Sequence, residues 1–119
     1  MSKKIGNLGE QIALEFLRKR GYKFVAQNFR YHRYGEIDLI VEKDRLLHFV
    51  EVKTRTNQNF GSGADAVDDY KLNKIFSAIE VFLLKHRQFD LFYWQVDVIE
   101  IELDFPNHRA RINFLKDFS

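Results

Sequence analysis

The chain has 119 residues, of which 45% are hydrophobic and 15% aromatic, enough to build one domain, 1–119, with its own core. The lack of cysteine excludes disulfides, thiolate metal sites and cysteine nucleophiles, and no apolar run approaches the roughly 18 residues of a membrane helix. The net charge of +2, from 19 basic and 17 acidic residues, is too small to indicate a nucleic-acid partner by itself. Because the sequence also begins without the apolar stretch of a secretory signal, we expect a cytoplasmic protein with no membrane partner.

Charge is distributed unevenly along the sequence. Residues 1–34 contain eight basic and two acidic residues, a net charge of +6, whereas the other 85 residues have a net charge of −4. This asymmetry suits a basic face that meets a polyanion, and it equally suits a solvated helix end rich in lysine and arginine. Charge alone leaves both interpretations open.

Apolar spacing predicts helices and strands in alternation. Apolar residues recur at helical spacing from Leu8 to Leu17, and Gly21 follows a basic last turn, as is typical of a helix end. A polar, glycine-bearing stretch predicts a surface loop at Thr56–Gly63, and a long helix is predicted from Asp65 to about His86. Strands are predicted at Tyr22–Tyr31, Gly35–Glu42, Leu46–Arg55, Leu91–Leu103 and Ala110–Phe114.

The order of these elements, αβββαβ with a last edge strand, predicts an α/β fold. Three strands form an antiparallel meander, and a helical crossover then leads to a parallel strand. Together these elements predict a mixed sheet flanked by helices.

A hairpin between the second and third strands brings two acids together. If Asp44 and Arg45 are the central turn residues, Asp38 faces Glu51, and Lys53 projects from the same side of the sheet because side chains alternate with period two. The opposite side is apolar, and we expect the long helix to pack on it. Its members are Ile37, Leu39, Val41, Val50 and Val52.

Two carboxylates on facing strands lie about 5 Å apart at Cβ, close enough to hold one Mg²⁺ through oxygen. A lysine beside them can meet a phosphate oxygen or help to deprotonate a water, so Asp38, Glu51 and Lys53 suit phosphodiester hydrolysis. Glu10 adds a further carboxylate if the first helix lies over the same face. Two alternatives stay open: Lys53 forms a structural ion pair with one of the acids, and Glu10 complements the helix dipole from the first turn.

Several short motifs together resemble a known family. They are Gly6-Asn7-Leu8-Gly9-Glu10, Asn28-Phe29-Arg30, Gly35-Glu36-Ile37-Asp38-Leu39-Ile40, Phe49-Val50-Glu51-Val52-Lys53-Thr54-Arg55, Phe60-Gly61, and Ala66-Val67 with Lys71. With them the chain resembles the YraN-type family of small bacterial proteins. These are predicted nucleases, similar to archaeal Holliday junction resolvases within the restriction-endonuclease-like PD-(D/E)xK superfamily.

The resemblance implies a restriction-endonuclease-like core and a role for each matching residue. Asp38, Glu51 and Lys53 match the expected metal and catalytic residues, and Glu10 matches the helix glutamate. The backbone carbonyl of Val52 matches a common metal ligand of such sites. The implied cofactor is Mg²⁺ or Mn²⁺.

We therefore expect a metal-dependent endonuclease that acts on nucleic acid, most of all DNA, including branched intermediates of recombination or repair. Four basic residues near the site are expected to hold the phosphate backbone: Arg30, Arg33, Arg55 and Lys71. The alternatives are a binding or assembly module that keeps the nuclease fold without turnover, and a purely structural protein. The substrate's structure, the number of metal ions and the oligomeric state stay open, and a homodimer would suit symmetric cutting of paired strands.

Overall fold

The computed structural model describes residues 3–33, 35–56 and 69–117, and the side chains of residues 69 and 70 are not among the described parts. The elements are α1 (Lys3–Lys19), β1 (Lys23–Arg30), β2 (Glu36–Lys43), β3 (Leu46–Arg55), α2 (Asp69–Lys85), a short 3₁₀-helix (Arg87–Phe89), β4 (Tyr93–Asp104) and β5 (Arg109–Leu115). No described helix is long and apolar enough to cross a bilayer.

The five strands form one sheet in the order β1-β2-β3-β4-β5. Strand β3 pairs with β4 in parallel, and the other three pairings are antiparallel. The predicted α/β fold, with its meander, helical crossover and mixed sheet, is therefore confirmed. The predicted loop Thr56–Gly63 lies outside the described residues except for Thr56, as does the start of the predicted long helix at Asp65.

The predicted hairpin register is confirmed where the two strands pair. Leu39 pairs with Val50, and Lys43 pairs with Leu46 at the turn. Asp44 and Arg45 form that turn with φ values of 53° and 64°, in the left-handed region that hairpin turns require.

A helix covers each face of the sheet, and the prediction of which helix covers the hairpin's apolar side was wrong. Ala13 and Leu17 of α1, not residues of α2, share a core with four of the predicted residues. These four are Leu39, Val41, Val50 and Val52. The helix α2 packs on the other face, the one from which Glu51 and Lys53 project, because Leu47 and Phe49 make that face apolar too.

The fifth predicted residue, Ile37, lies in the α2 core together with Ile40. Regular pairing of β2 with β3 starts only at Leu39. Ile37 precedes the paired segment, and its side chain does not follow the alternation that places Leu39 and Val41 against α1.

Helix α1 approaches β3 closely at Gly9. A Cβ atom at this position would lie 1.8 Å from Oγ1 of Thr54, far inside contact distance. Only glycine permits this separation, which fixes the height of α1 over the sheet and places the next residue, Glu10, near the hairpin acids.

Candidate active site

Asp38 reaches across the hairpin to β3. Its Oδ2 accepts a hydrogen bond of 2.8 Å from the backbone N–H of Val52, the residue between Glu51 and Lys53. The carboxylate thus replaces a strand-to-strand backbone contact just beyond the paired segment of β2. This contact fixes Asp38 beside the Glu51-Val52-Lys53 segment.

Glu51 is buried and forms an ion pair with Lys71, which extends from the first turns of α2. Burial alone would lower the pKa of Lys71, but its hydrogen bond and charge interaction with Glu51, together with a hydrogen bond to Lys53, raise it above its ordinary value. For Lys53 the balance is reversed, because burial and the adjacent charge of Lys71 lower its pKa. Lys71 therefore stays protonated beside the Glu51 carboxylate, whereas Lys53 gives up its proton more readily than an ordinary lysine.

Glu10 joins this group from the opposite face of the sheet. It lies in the third turn of α1, so the alternative that it complements the helix dipole from the first turn was wrong. Burial raises its pKa, and so do the charges of Glu36 and Glu51, against a hydrogen bond from the Asn28 side chain. These interactions place Glu10 close to the acids of β2 and β3 even though α1 covers the other face.

Glu10, Glu36, Asp38 and Glu51 interact with one another electrostatically, and we call these four side chains the acidic group. The pKa of Asp38 shows how strongly negative charge is concentrated in it. Burial, and next the charge of Glu51, raise the pKa of Asp38 from its ordinary value of 3.8 to about 8, although the Val52 N–H favours the charged form. Glu10 and Glu36 raise it further. A buried carboxylate of this kind stays neutral unless a cation compensates its charge.

The four predicted phosphate-binding residues have different surroundings. Arg30 lies 3.0 Å from Oε2 of Glu36 on the surface, and Arg33 is exposed. Arg55 lies 3.4 Å from a carboxylate oxygen of the fully buried Glu100. Lys71 forms the ion pair with the buried Glu51 that is described above. Arg30 and Arg33 are thus surface cations, whereas Arg55 and Lys71 also compensate buried carboxylates.

Comparison of the sequence with known proteins shows which family the chain belongs to. The family model described as "Uncharacterised protein family UPF0102" matches residues 9–101. The chain belongs to this family. A UPF0102 protein of Caldicellulosiruptor bescii is 40% identical over 115 residues, covering 97% of this chain and 96% of the relative. One from Clostridium botulinum strain 657 is 35% identical over 116 residues, covering 98% and 94%.

The part of the chain that matches UPF0102 contains every member of the acidic group. The relatives' names state the family and no activity, so membership in UPF0102 is what the comparisons establish of the sequence resemblance. The nuclease activity that the resemblance implies stays a prediction.

Two residues beside the site carboxylates in this UPF0102 chain, Glu36 and Asn28, stand in the sequence motifs, but no role at the site was predicted for them from the sequence. Glu36 precedes Asp38 by two residues, and this spacing puts both side chains on one side of a regular strand. The spacing was the sequence signal that could have placed Glu36 at the site. Asn28 has φ of 51°, which asparagine tolerates better than most residues, and its side chain bonds Glu10. No sequence pattern indicated this contact between α1 and β1.

The donor set suits a hard divalent cation in its chemistry. Asp38 and Glu51 offer oxygen ligands, and the raised pKa of Asp38 shows a carboxylate whose charged form lacks compensation. Within the residues that the structure describes, no three acidic or histidine side chains are gathered closely enough to hold an ion. Two carboxylates would therefore share an ion with water, backbone carbonyl or substrate oxygens, as Mg²⁺ commonly does.

The buried Asp38 predicts an unusual pH dependence of stability for this UPF0102 chain. Because the pKa of Asp38 is raised to about 8 on folding, the native state keeps a proton that the unfolded state has released. Stability should therefore fall as pH rises from about 5 to about 8, by on the order of 3 kcal/mol. Urea unfolding in EDTA at several pH values measures this. Asp38→Asn should lack most of the fall, and parallel pH profiles of the two proteins would contradict the assignment.

Proposed function

We propose that this UPF0102 chain is a metal-dependent endonuclease that hydrolyses phosphodiester bonds of nucleic acid, with DNA as substrate. The observation that carries the proposal is the contact of Asp38 with the Val52 N–H, which holds one carboxylate against the segment containing Glu51 and Lys53. Two carboxylates and a lysine of lowered pKa in one half-buried place suit attack of water on a phosphodiester.

Each residue has a distinct part in the proposed reaction. Asp38 and Glu51 would hold Mg²⁺ or Mn²⁺, with the Val52 carbonyl as a further donor, and Glu10 would assist from beside them without being a third direct carboxylate ligand. When bound, the cation supplies positive charge against the developing charge of the phosphate and makes water more acidic. Lys53, whose pKa is lowered by burial and by Lys71, either takes a proton from the attacking water or donates a hydrogen bond to a phosphate oxygen.

One observation favours a second candidate, a nucleic-acid-binding or assembly module without turnover. Lys71 already neutralises Glu51, and such an ion pair is stable without any metal. In this case the acids would serve to seat α2 on the sheet, and the basic residues would still hold nucleic acid.

The experiment that separates these candidates is a cleavage assay with labelled four-way junction, duplex DNA, single-stranded DNA and RNA. Each substrate is incubated with Mg²⁺, Mn²⁺ or EDTA. We expect metal-dependent cleavage by the wild type, strongest on DNA, and loss of cleavage in Lys53→Ala prepared identically. Lys4→Ala, which removes an exposed charge of α1, is the matched control and should cleave normally.

Two results would count against the nuclease. Binding that EDTA does not alter, without cleavage of any substrate, would favour the binding module. Equal cleavage by the wild type and Lys53→Ala would indicate a contaminating enzyme. Sedimentation of the same samples shows whether the active species is the homodimer that symmetric cutting of paired strands favours.

A further inference from the structure

A cavity lined by basic residues lies on the α1 side of the sheet, the face opposite to the one from which Glu51 and Lys53 project. It has a volume of about 430 Å³ and is lined by Arg20, Tyr22, Lys43, Phe114 and Lys116. Lys43 is the last residue of β2, five residues or roughly 17 Å along the strand from Asp38, and Phe114 lies on β5, two strands across the sheet from β3. The cavity opens on the α1 side because Tyr22 and Phe114 pack with the α1 core.

Three of the five lining residues are cations and none is an acid. Lys43 donates a hydrogen bond of 2.8 Å to the backbone carbonyl of Arg20, and Arg20 donates one of 3.2 Å to the carbonyl of Phe16. Over the described ranges, no carboxylate forms an ion pair with Arg20, Lys43 or Lys116. Their charges are therefore held in place by neutral groups and are not compensated at short range.

Aromatic rings hold the same three cations. The Arg20 guanidinium lies 3.6 Å from the centroid of the Phe16 ring, the Lys43 ammonium lies 5.0 Å from that of Tyr22, and the Lys116 ammonium lies 5.4 Å from that of Phe114. Such contacts orient a cation without neutralising it. The cavity thus presents positioned, uncompensated positive charge, the arrangement that an anion requires.

A buried polar chain lies behind Tyr22, one of the residues that line the cavity. The Tyr22 ring packs edge-on against His48 at a centroid distance of 4.9 Å, and His48 lies 2.6 Å from Oδ2 of Asp97. The other oxygen of Asp97 accepts a hydrogen bond of 2.7 Å from the backbone N–H of Asp117. This bond fixes the chain next to Lys116, so both sides of the cavity are anchored to the sheet.

Acidic residues adjacent in sequence do not cancel this charge. Glu42, Asp44 and Asp117 are direct neighbours of the lining lysines in the chain, whereas Lys19 and Lys23 are direct neighbours of the lining residues Arg20 and Tyr22. Among the lining residues and their direct neighbours in the chain, cations therefore exceed acids by five to three.

We propose that this cavity binds phosphate groups of a nucleic-acid backbone, as a second site separate from the acidic group. The choice of nucleic acid as the partner rests on the proposed function. Because the cavity opens on the other face of the sheet, the bound segment is not the one lying over Asp38 and Glu51. It is a second arm or a flanking strand of the same molecule, which a branched or bent substrate supplies.

Amide chemical shifts of the ¹⁵N-labelled chain test this proposal directly. A DNA four-way junction is added in EDTA, where metal-dependent cleavage does not occur, and inorganic phosphate is added to a second sample. We expect DNA to shift the amides of Tyr22, Lys43 and Lys116 as well as those of Val52 and Lys53. Inorganic phosphate should shift the cavity amides only at much higher concentration.

The outcomes of this titration separate the cavity from the proposed function. If only Val52 and Lys53 shift, the cavity proposal is overturned and the nuclease stands. If only the cavity amides shift and no substrate is cleaved, the cavity proposal stands and the nuclease fails. Equal response to inorganic phosphate, or no response at the cavity, overturns the proposal.

The salt dependence of DNA affinity gives an independent measure. Removing two lysine–phosphate contacts should reduce the slope of log K against log salt concentration by about 1.8 for duplex DNA. We expect this for Lys43→Ala/Lys116→Ala, and recovery in Lys43→Arg/Lys116→Arg. The matched control Lys4→Ala/Lys85→Ala removes the same charge from exposed positions outside the cavity. An equal loss in the control, or no loss in the cavity variant, overturns the proposal.

Lys43→Ala/Lys116→Ala could lose affinity because it misfolds, since Lys43 donates a hydrogen bond to the backbone carbonyl of Arg20. A second variant therefore separates misfolding from the loss of a phosphate contact. Lys116→Ala alone removes a side chain whose described contact is the Phe114 ring. Its expected loss of slope is about 0.9, and an unchanged slope in this folded variant contradicts the proposal.

Discussion

Asp38→Asn is expected to cleave nucleic acid about a thousandfold more slowly than the wild type while remaining folded and becoming more stable at pH 8. The amide keeps an oxygen that can accept the Val52 N–H bond, so the hairpin geometry persists. It lacks the negative charge that a divalent cation needs. The substitution also removes the free-energy cost of ionising, at pH 8, a buried carboxyl whose pKa is raised to about 8. Initial cleavage rates and urea unfolding on one preparation measure both effects.

Glu80→Gln is the matched control for this variant, since Glu80 is exposed on α2 and the same chemical change there should leave rate and stability unaltered. A slow Asp38→Asn that also unfolds more easily would mean that the carboxylate acts mainly in folding. Full activity in Asp38→Asn would remove Asp38 from the mechanism.

Gly9→Ala is expected to destabilise the protein by about 2–3 kcal/mol, although alanine is normally the better helix former. The new Cβ would lie 1.8 Å from Oγ1 and 2.8 Å from Cβ of Thr54, so either α1 or β3 must move. Because Glu10 follows in the helix, cleavage should fall together with stability. Urea denaturation and the cleavage assay measure the two losses.

Gly6→Ala supplies the internal comparison. Nothing lies within 4 Å of a Cβ at this position in the same helix, so alanine should stabilise by up to about 1 kcal/mol. The double variant Gly9→Ala/Thr54→Ala should recover part of the lost stability. If Gly9→Ala behaves like Gly6→Ala, the close approach of α1 to β3 does not exist in solution.

Much of the sheet could be predicted because local signals agreed. Strand β3 was predicted with the bounds that it has, Leu46–Arg55, and the turn residues Asp44 and Arg45 set the register of the hairpin. Alternating acids along β2 and the Glu51-x-Lys53 spacing then put the main site residues together. These features depend on neighbours in sequence, which is where periodicity carries information.

The placement of the helices could not be predicted in the same way. The strands β2 and β3 are apolar on both faces over much of their length, so alternation did not decide which helix covers Leu39 or Phe49. The positions of Glu10 beside the acids and of Lys71 on Glu51 depend on the packing of α1 and α2. Such contacts between distant segments leave no local pattern.

The parallel ladder between β3 and β4 has a consequence for the order of folding. It runs from Leu46 paired with Tyr93 to Arg55 paired with Glu102, so its partners meet only after a long intervening segment closes. The β1–β3 meander needs only short closures and is expected to form first. Both cores contain β4 residues, Val96 on one face and Ile99 on the other. Refolding should therefore be limited by the docking of β4, and an acidic group on β2 and β3 would become buried only in that slow phase.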